Sequence, residues 1–141
     1  MRSLWHSGKD VGASGKAVGE SNYGSTLAIN SLVYPGVTFT INRISFGRRM
    51  DLCRRVRELG QRLQFLEAGD RLSDKIESNF LAHEIDQVYL EWGLVGVDGL
   101  LIDGEPATPD LMLAAGPEPL AKEIVEAIRG QCGLNEEERK N

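Results

Sequence analysis

Few residues in this chain have the type and spacing to do chemistry. In GASGKAV, residues 12–18, Gly15-Lys16 has the look of a phosphate-binding loop. That loop needs glycine five residues before the second glycine, and Ser or Thr after the lysine. Asp10 and Ala17 stand at those places, so the match fails. HEIDQ, residues 83–87, is one residue short of a zinc-binding HExxH, because Gln87 replaces the second histidine. Asp98, Asp103 and Glu105 are oxygen donors suited to a hard cation, but they match no EF-hand spacing. The two Asp-Gly pairs, Asp98-Gly99 and Asp103-Gly104, explain two of those acids as turn residues. Cys53 and Cys132 fit no zinc or redox spacing, and the expectation is two free, buried thiols in a reducing compartment. No catalytic residue, cofactor or metal is assigned, and the reading is of a protein that is not an enzyme.

The remaining candidate is charge. Residues 43–62 hold seven arginines against Asp51 and Glu58, within a chain of net charge −5. An acidic chain binds a polyanion only through a local patch. Arg48, Arg49, Arg54, Arg55, Arg57 and Arg62 are the candidates for such a patch, or for a partner surface. The same segment has no helix-turn-helix spacing, zinc ligands or interleaved aromatics. Nucleic acid is therefore the second choice, as a small regulator using the Arg-rich helix 48–62. A solvated face, partly neutralised by acids of a neighbouring helix, is the simpler reading.

The elements that position these arginines follow from periodicity. Leu52, Val56, Leu59, Leu63 and Leu66 recur at steps of four, three, four and three, which draws one stripe on a helix. Ser45 is its expected cap, and Gly69 follows its end. A second helix is expected from about Ser73 to Trp92, with Leu81, Ile85, Val88 and Trp92 inward and Ser73 as cap. Ile76 and Phe80 lie off that stripe. The expectation is that they meet another helix of the same chain; failing that, they offer an apolar groove to a partner. The short AGDRL link makes the two helices an antiparallel hairpin.

VTFTINRIS, residues 37–45, alternates as a strand. A hairpin of 94–97 with 100–102 is expected to join it in a small antiparallel sheet. Thr108, Pro109 and Gly116 bound a short helix, and Leu120, Ile124, Val125 and Ile128 mark another. The fold class is therefore α+β and mainly α: an αα-hairpin plus C-terminal helices, with a small antiparallel sheet from strands near 37–45, 94–97 and 100–102. Residues 1–34, rich in glycine and serine, read as a flexible arm; 35–134 as a single globular domain; 135–141 as a charged tail. No apolar run approaches the length of a membrane span, and no secretory signal opens the chain, so a cytoplasmic protein is expected.

FTINRISFGRRMDLCRRVREL, EIDQVYLEWGLVGVDGLLIDGEPATPDLML and GPEPLAKEIVEAIRGQCGLNEEERKN together resemble small phage and prophage proteins found among tail genes. The texture is similar to that of tail assembly chaperones and spans about residues 37–141. The resemblance implies a mainly helical, often oligomeric protein in the host cytoplasm. It implies protein partners, a tape measure or tail tube protein, and no catalytic site. The partner-binding candidates are the six arginines above together with Ile76 and Phe80.

Overall fold

The structure, a computed structural model, describes residues 19–133. The expectations for residues 1–18 and for the charged tail, 135–141, lie outside those residues. Along the chain run β1 (Thr26–Asn30), β2 (Thr38–Asn42), α1 (Phe46–Glu67), α2 (Leu72–Gly93), β3 (Leu94–Asp98), β4 (Leu101–Ile102), β5 (Glu105–Pro106), α3 (Pro109–Ala115) and α4 (Glu118–Cys132). The fold is α+β and mainly α.

β2 is the centre of an antiparallel three-stranded sheet in the order β1-β2-β3. Its alternation sends Val37, Phe39 and Ile41 into the core, with Phe39 and Ile41 completely covered. A bulge at Val95 breaks the register on β3: Thr40 faces Gly96, yet Ile41 faces Leu94. The extra residue shifts the pleat, so Leu94 and Val97 are both buried while Val95 points out.

Two details of the sheet differ from expectation. The glycine- and serine-rich composition predicts a flexible arm through residue 34, but residues 26–34 belong to the fold. β1 pairs with β2 from Thr26↔Asn42 to Asn30↔Thr38. The following loop is pinned by Glu123 of α4, which accepts from Ser31 Oγ at 2.6 Å and from the Leu32 amide at 2.8 Å. Ser31 Oγ in turn accepts from the amides of Val33 and Tyr34. Polar side chains, which carry no hydrophobic period, hold this segment in place.

The expected hairpin of 94–97 with 100–102 is also replaced. β4 pairs with β5 in a separate two-stranded sheet, Ile102↔Glu105 and Leu101↔Pro106. The two Asp-Gly pairs are not equivalent. Asp103 and Gly104 both have positive φ, 52° and 83°, the type I′ geometry that matches strand twist. At the first pair only Gly99 does, at 86°, and a turn of that kind splays its flanking strands. A Cβ on Gly99 would collide with the Gly36 carbonyl oxygen, so this turn also needs its glycine for close approach.

α1 starts at the Ser45 cap, whose side chain accepts from the Arg48 amide. α2 begins one residue earlier than expected: Arg71 is its N-cap without a side-chain bond, and Ser73 lies inside the helix. Thr108 caps α3 through the Leu111 amide, with Pro109 at its first position. α4 buries Leu120, Ile124, Val125 and Ile128 as the pattern required. Burying each such side chain contributes at most roughly 1.5–3 kcal/mol. α4 is fastened to α2 by Arg129, which pairs with Asp86 at 2.8 Å and stacks over the Tyr89 ring at 4.4 Å.

Candidate functional site: the free face of the helical hairpin

α1 and α2, 22 residues each, form the expected hairpin. Its turn is closed by the Ala68 amide donating to the Gln64 carbonyl and the Gly69 amide donating to the Leu66 carbonyl. Leu52 is buried, and Val56, Leu59 and Leu63 are half-buried against the core. Leu66 is half-buried near the hairpin end. The leucine stripe thus packs inward as its spacing required, progressively less covered toward the turn.

The six arginines divide by task. Arg48 donates to the carbonyls of Ser25 and Arg43, at 2.6 and 2.9 Å. Arg49 donates to the Cys132 carbonyl at 2.9 Å, at the C-terminus of α4. These two tie the start of α1 to the sheet edge and to α4, so a solvated face describes them poorly. Arg54 and Arg55 share Asp51 one turn back, in exposed pairs at 3.5 and 3.1 Å; such pairs contribute little. Arg57 and Arg62 make no ion pair or hydrogen bond among the described residues, and the acids of α2 do not neutralise α1. No ion pair joins the two helices among those residues.

Ile76 and Phe80 are not buried against another helix. They are 61% and 62% exposed, which corrects the expectation of an intrachain contact. With Leu72 at 73% they form a row at i, i+4 and i+8 on the outer side of α2. Phe65, near the end of α1, is 80% exposed. Beside it a surface groove of about 520 Å³ runs between the helices, lined by Glu58, Gln61, Arg62, Phe65, Leu66 and Glu77. Four large apolar side chains thus crowd the far end of one hairpin. Sequence reasoning flagged two of them. Phe65 was missed although its signal was the same, an aromatic off the leucine stripe.

The other chemistry-bearing residues are dispersed. Cys132 is buried, and desolvation pushes its thiol pKa up, against the weaker opposing pull of Arg49. Cys53 is free but exposed, contrary to expectation. His83 borders a second groove of about 400 Å³, between α2, α3 and α4, together with Asp86, Leu90, Leu113, Lys122 and Val125. Asp98, Asp103 and Glu105 sit on exposed turns and strand ends. Among the described residues no three His, Cys, Asp or Glu side chains are grouped to hold a metal ion, and no helix is long and apolar enough to cross a membrane. Compared with known protein families, characterised proteins and solved structures, the chain matches none of them.

Proposed function

We propose that this is a non-enzymatic protein-binding protein, whose docking surface is the free face of the hairpin. The observation that carries the reading is the exposure of Phe65, Leu72, Ile76 and Phe80 on the two helices of the hairpin. Contiguous exposed apolar side chains rimmed by charge mark protein interaction sites, and a groove between helices suits an amphipathic helical partner. Within that class, the resemblance of residues 37–141 to phage and prophage tail proteins supports a role in tail assembly. The clients are then a tape measure or tail tube protein, in the host cytoplasm.

A nucleic-acid role has less to stand on. With Arg48 and Arg49 held on carbonyls, and Asp51 and Glu58 lying among the other four arginines, the local excess of positive charge on α1 is small. A small excess gives weak binding with a shallow salt dependence.

Co-expression with the tape measure and tube proteins of the same gene cluster tests the proposal. A complex that survives purification and is lost in Ile76→Glu with Phe80→Glu is the expected result. Failure to bind either protein, together with duplex DNA binding that falls steeply with salt and is abolished by Arg54→Glu with Arg57→Glu, overturns it.

A further inference from the structure

The start of α1 leaves another apolar strip uncovered, at the sheet end and away from the groove beside Phe65. On the helix wheel Cys53, Phe46, Arg57 and Met50 fall within about 60° of one another, and all four are exposed. Arg49 lies between this strip and the leucine stripe, and it donates to the Cys132 carbonyl at 2.9 Å. The Cys132 thiol, raised in pKa above all by burial, also feels Arg49 and Cys53. The last turn of α4 therefore stands beside the strip. At Gly133 the backbone turns left-handed, with φ 72°, which stops the helix and redirects the chain. Residues 134–141, LNEEERKN, follow.

Charge sets Arg57 apart from the other arginines of α1. Side chains that interact along a helix stand three or four positions apart. Arg54, Arg55 and Arg62 each have Asp51 or Glu58 at that spacing, and Arg48 and Arg49 are held on carbonyls. Cys53, Arg54, Gly60 and Gln61 occupy those places around Arg57, and none is acidic. We propose that residues 134–141 fold back along α1 as a built-in cover, with Leu134 on Phe46 and Met50 and with Glu136, Glu137 and Glu138 at Arg57. The order of residues suits the strip. The apolar residue comes first, beside the apolar pair, and three acids follow toward the arginine, ahead of Arg139 and Lys140. The reach suits it too. Arg49 to Arg57 is about 12 Å along the helix, and five extended residues span up to about 17 Å. Residues 1–18 have the wrong sign for this place, since Arg2, Lys9 and Lys16 oppose Asp10 alone. This contact goes beyond the docking surface proposed for the hairpin and stands without it.

Hydrogen peroxide oxidation of Met50 in the full chain tests this. A thioether does not titrate, so nearby charge changes leave its own reactivity unaltered, and its sulfoxide forms faster when the side chain is uncovered. Met112, almost wholly buried, reports an intact core. In the variant Leu134→Ser with Glu136→Gln, Glu137→Gln and Glu138→Gln, Met50 is expected to oxidise at least about threefold faster than in the wild type, with Met112 unchanged. Arg57→Glu is expected to have the same effect, and the four tail substitutions to add little to it. Arg57→Glu with Glu136→Lys, Glu137→Lys and Glu138→Lys is expected to return Met50 to the wild-type rate, because the charges are then exchanged. Equal oxidation of Met50 in the wild type and the tail variant, an Arg57→Glu variant that behaves as the wild type, or no recovery on exchange overturns the inference. So does protection that grows with protein concentration, which would assign the cover to residues 134–141 of another copy.

Discussion

The two ends of the hairpin are built from the same residue types and reach opposite outcomes. At the sheet end, Leu52, Ile85, Tyr89 and Trp92 are buried in the same core cluster as Phe39, Ile124 and Ile128, which are wholly out of water. Toward the turn end, Phe65, Leu72, Ile76 and Phe80 are 61–80% exposed. Hydrophobicity says that a side chain gains from leaving water, but not which molecule covers it. Most apolar side chains at one end of α1–α2 are covered within the chain, Phe46 and Met50 at the start of α1 excepted; at the other end these four are mostly in solvent.

The sharpest way to break this contrast is truncation at each end. Phe39→Ala removes a fully buried ring and is expected to cost about 3–5 kcal/mol in denaturant unfolding. Phe80→Ala is expected to change the stability of the isolated chain by less than about 0.5 kcal/mol. Any larger loss in the second variant must depend on protein concentration, as coupling to association requires. A concentration-independent loss comparable to that of Phe39→Ala would mean that the distal aromatics are core after all.

A smaller effect is expected at the junction of α2 and the sheet. A Cβ added at Gly93 would sit 2.6 Å from Ile128 Cδ1 and 2.9 Å from its Cγ1 and Cγ2. Gly93→Ala is expected to cost about 1–3 kcal/mol through overpacking. The companion change Ile128→Val, made in the same chain, should return part of that loss. No recovery would show that the constraint lies in the backbone at Gly93.

How much of this was legible follows the physical signal each part emits. The stripes on α1 and α4 and the alternation of β2 are burial written as periodicity, and they were read with the correct residues inward. β1 emits little of that signal: Leu27 and Ile29 are only half-buried. Its place is fixed instead by ladder bonds and by Glu123, some ninety residues away. A contact between one serine and one glutamate has no local pattern to find. The roles of Arg48 and Arg49 were hidden for the same reason, since their acceptors are backbone carbonyls that every residue carries. The second strand pair failed on a finer point: two identical Asp-Gly dipeptides take different φ, and only one makes the hairpin. At the candidate site the useful signal was a misfit. Residues off the buried stripe, Ile76 and Phe80, were noticed, but their exposure depended on where the rest of the chain ends up.

The Glu123 clamp gives the next test. Its carboxylate holds Ser31 Oγ and the Leu32 amide, in a partly buried setting. Glu123→Ala leaves Ser31 with a donor unmatched and is expected to cost about 1–2 kcal/mol. Amide exchange should quicken in β1, Thr26–Asn30, more than in α1. Equal protection in β1 would show that the strand ladder alone holds it.

The smallest expected effect has the opposite sign. Gly60 lies inside α1, and a Cβ built on it meets no atom within 4 Å. Glycine in a helix interior costs about 0.5–1 kcal/mol relative to alanine, because its unfolded backbone is freer. Gly60→Ala is therefore expected to stabilise the chain by that amount, read as a higher denaturant midpoint with an unchanged slope. The contrast with Gly93 is geometric. One glycine is required by a neighbouring isoleucine, whereas nothing in the described chain requires the other. A destabilised Gly60→Ala variant would place another surface against that side of α1. Should that loss grow with protein concentration, the surface would belong to a second copy of the chain.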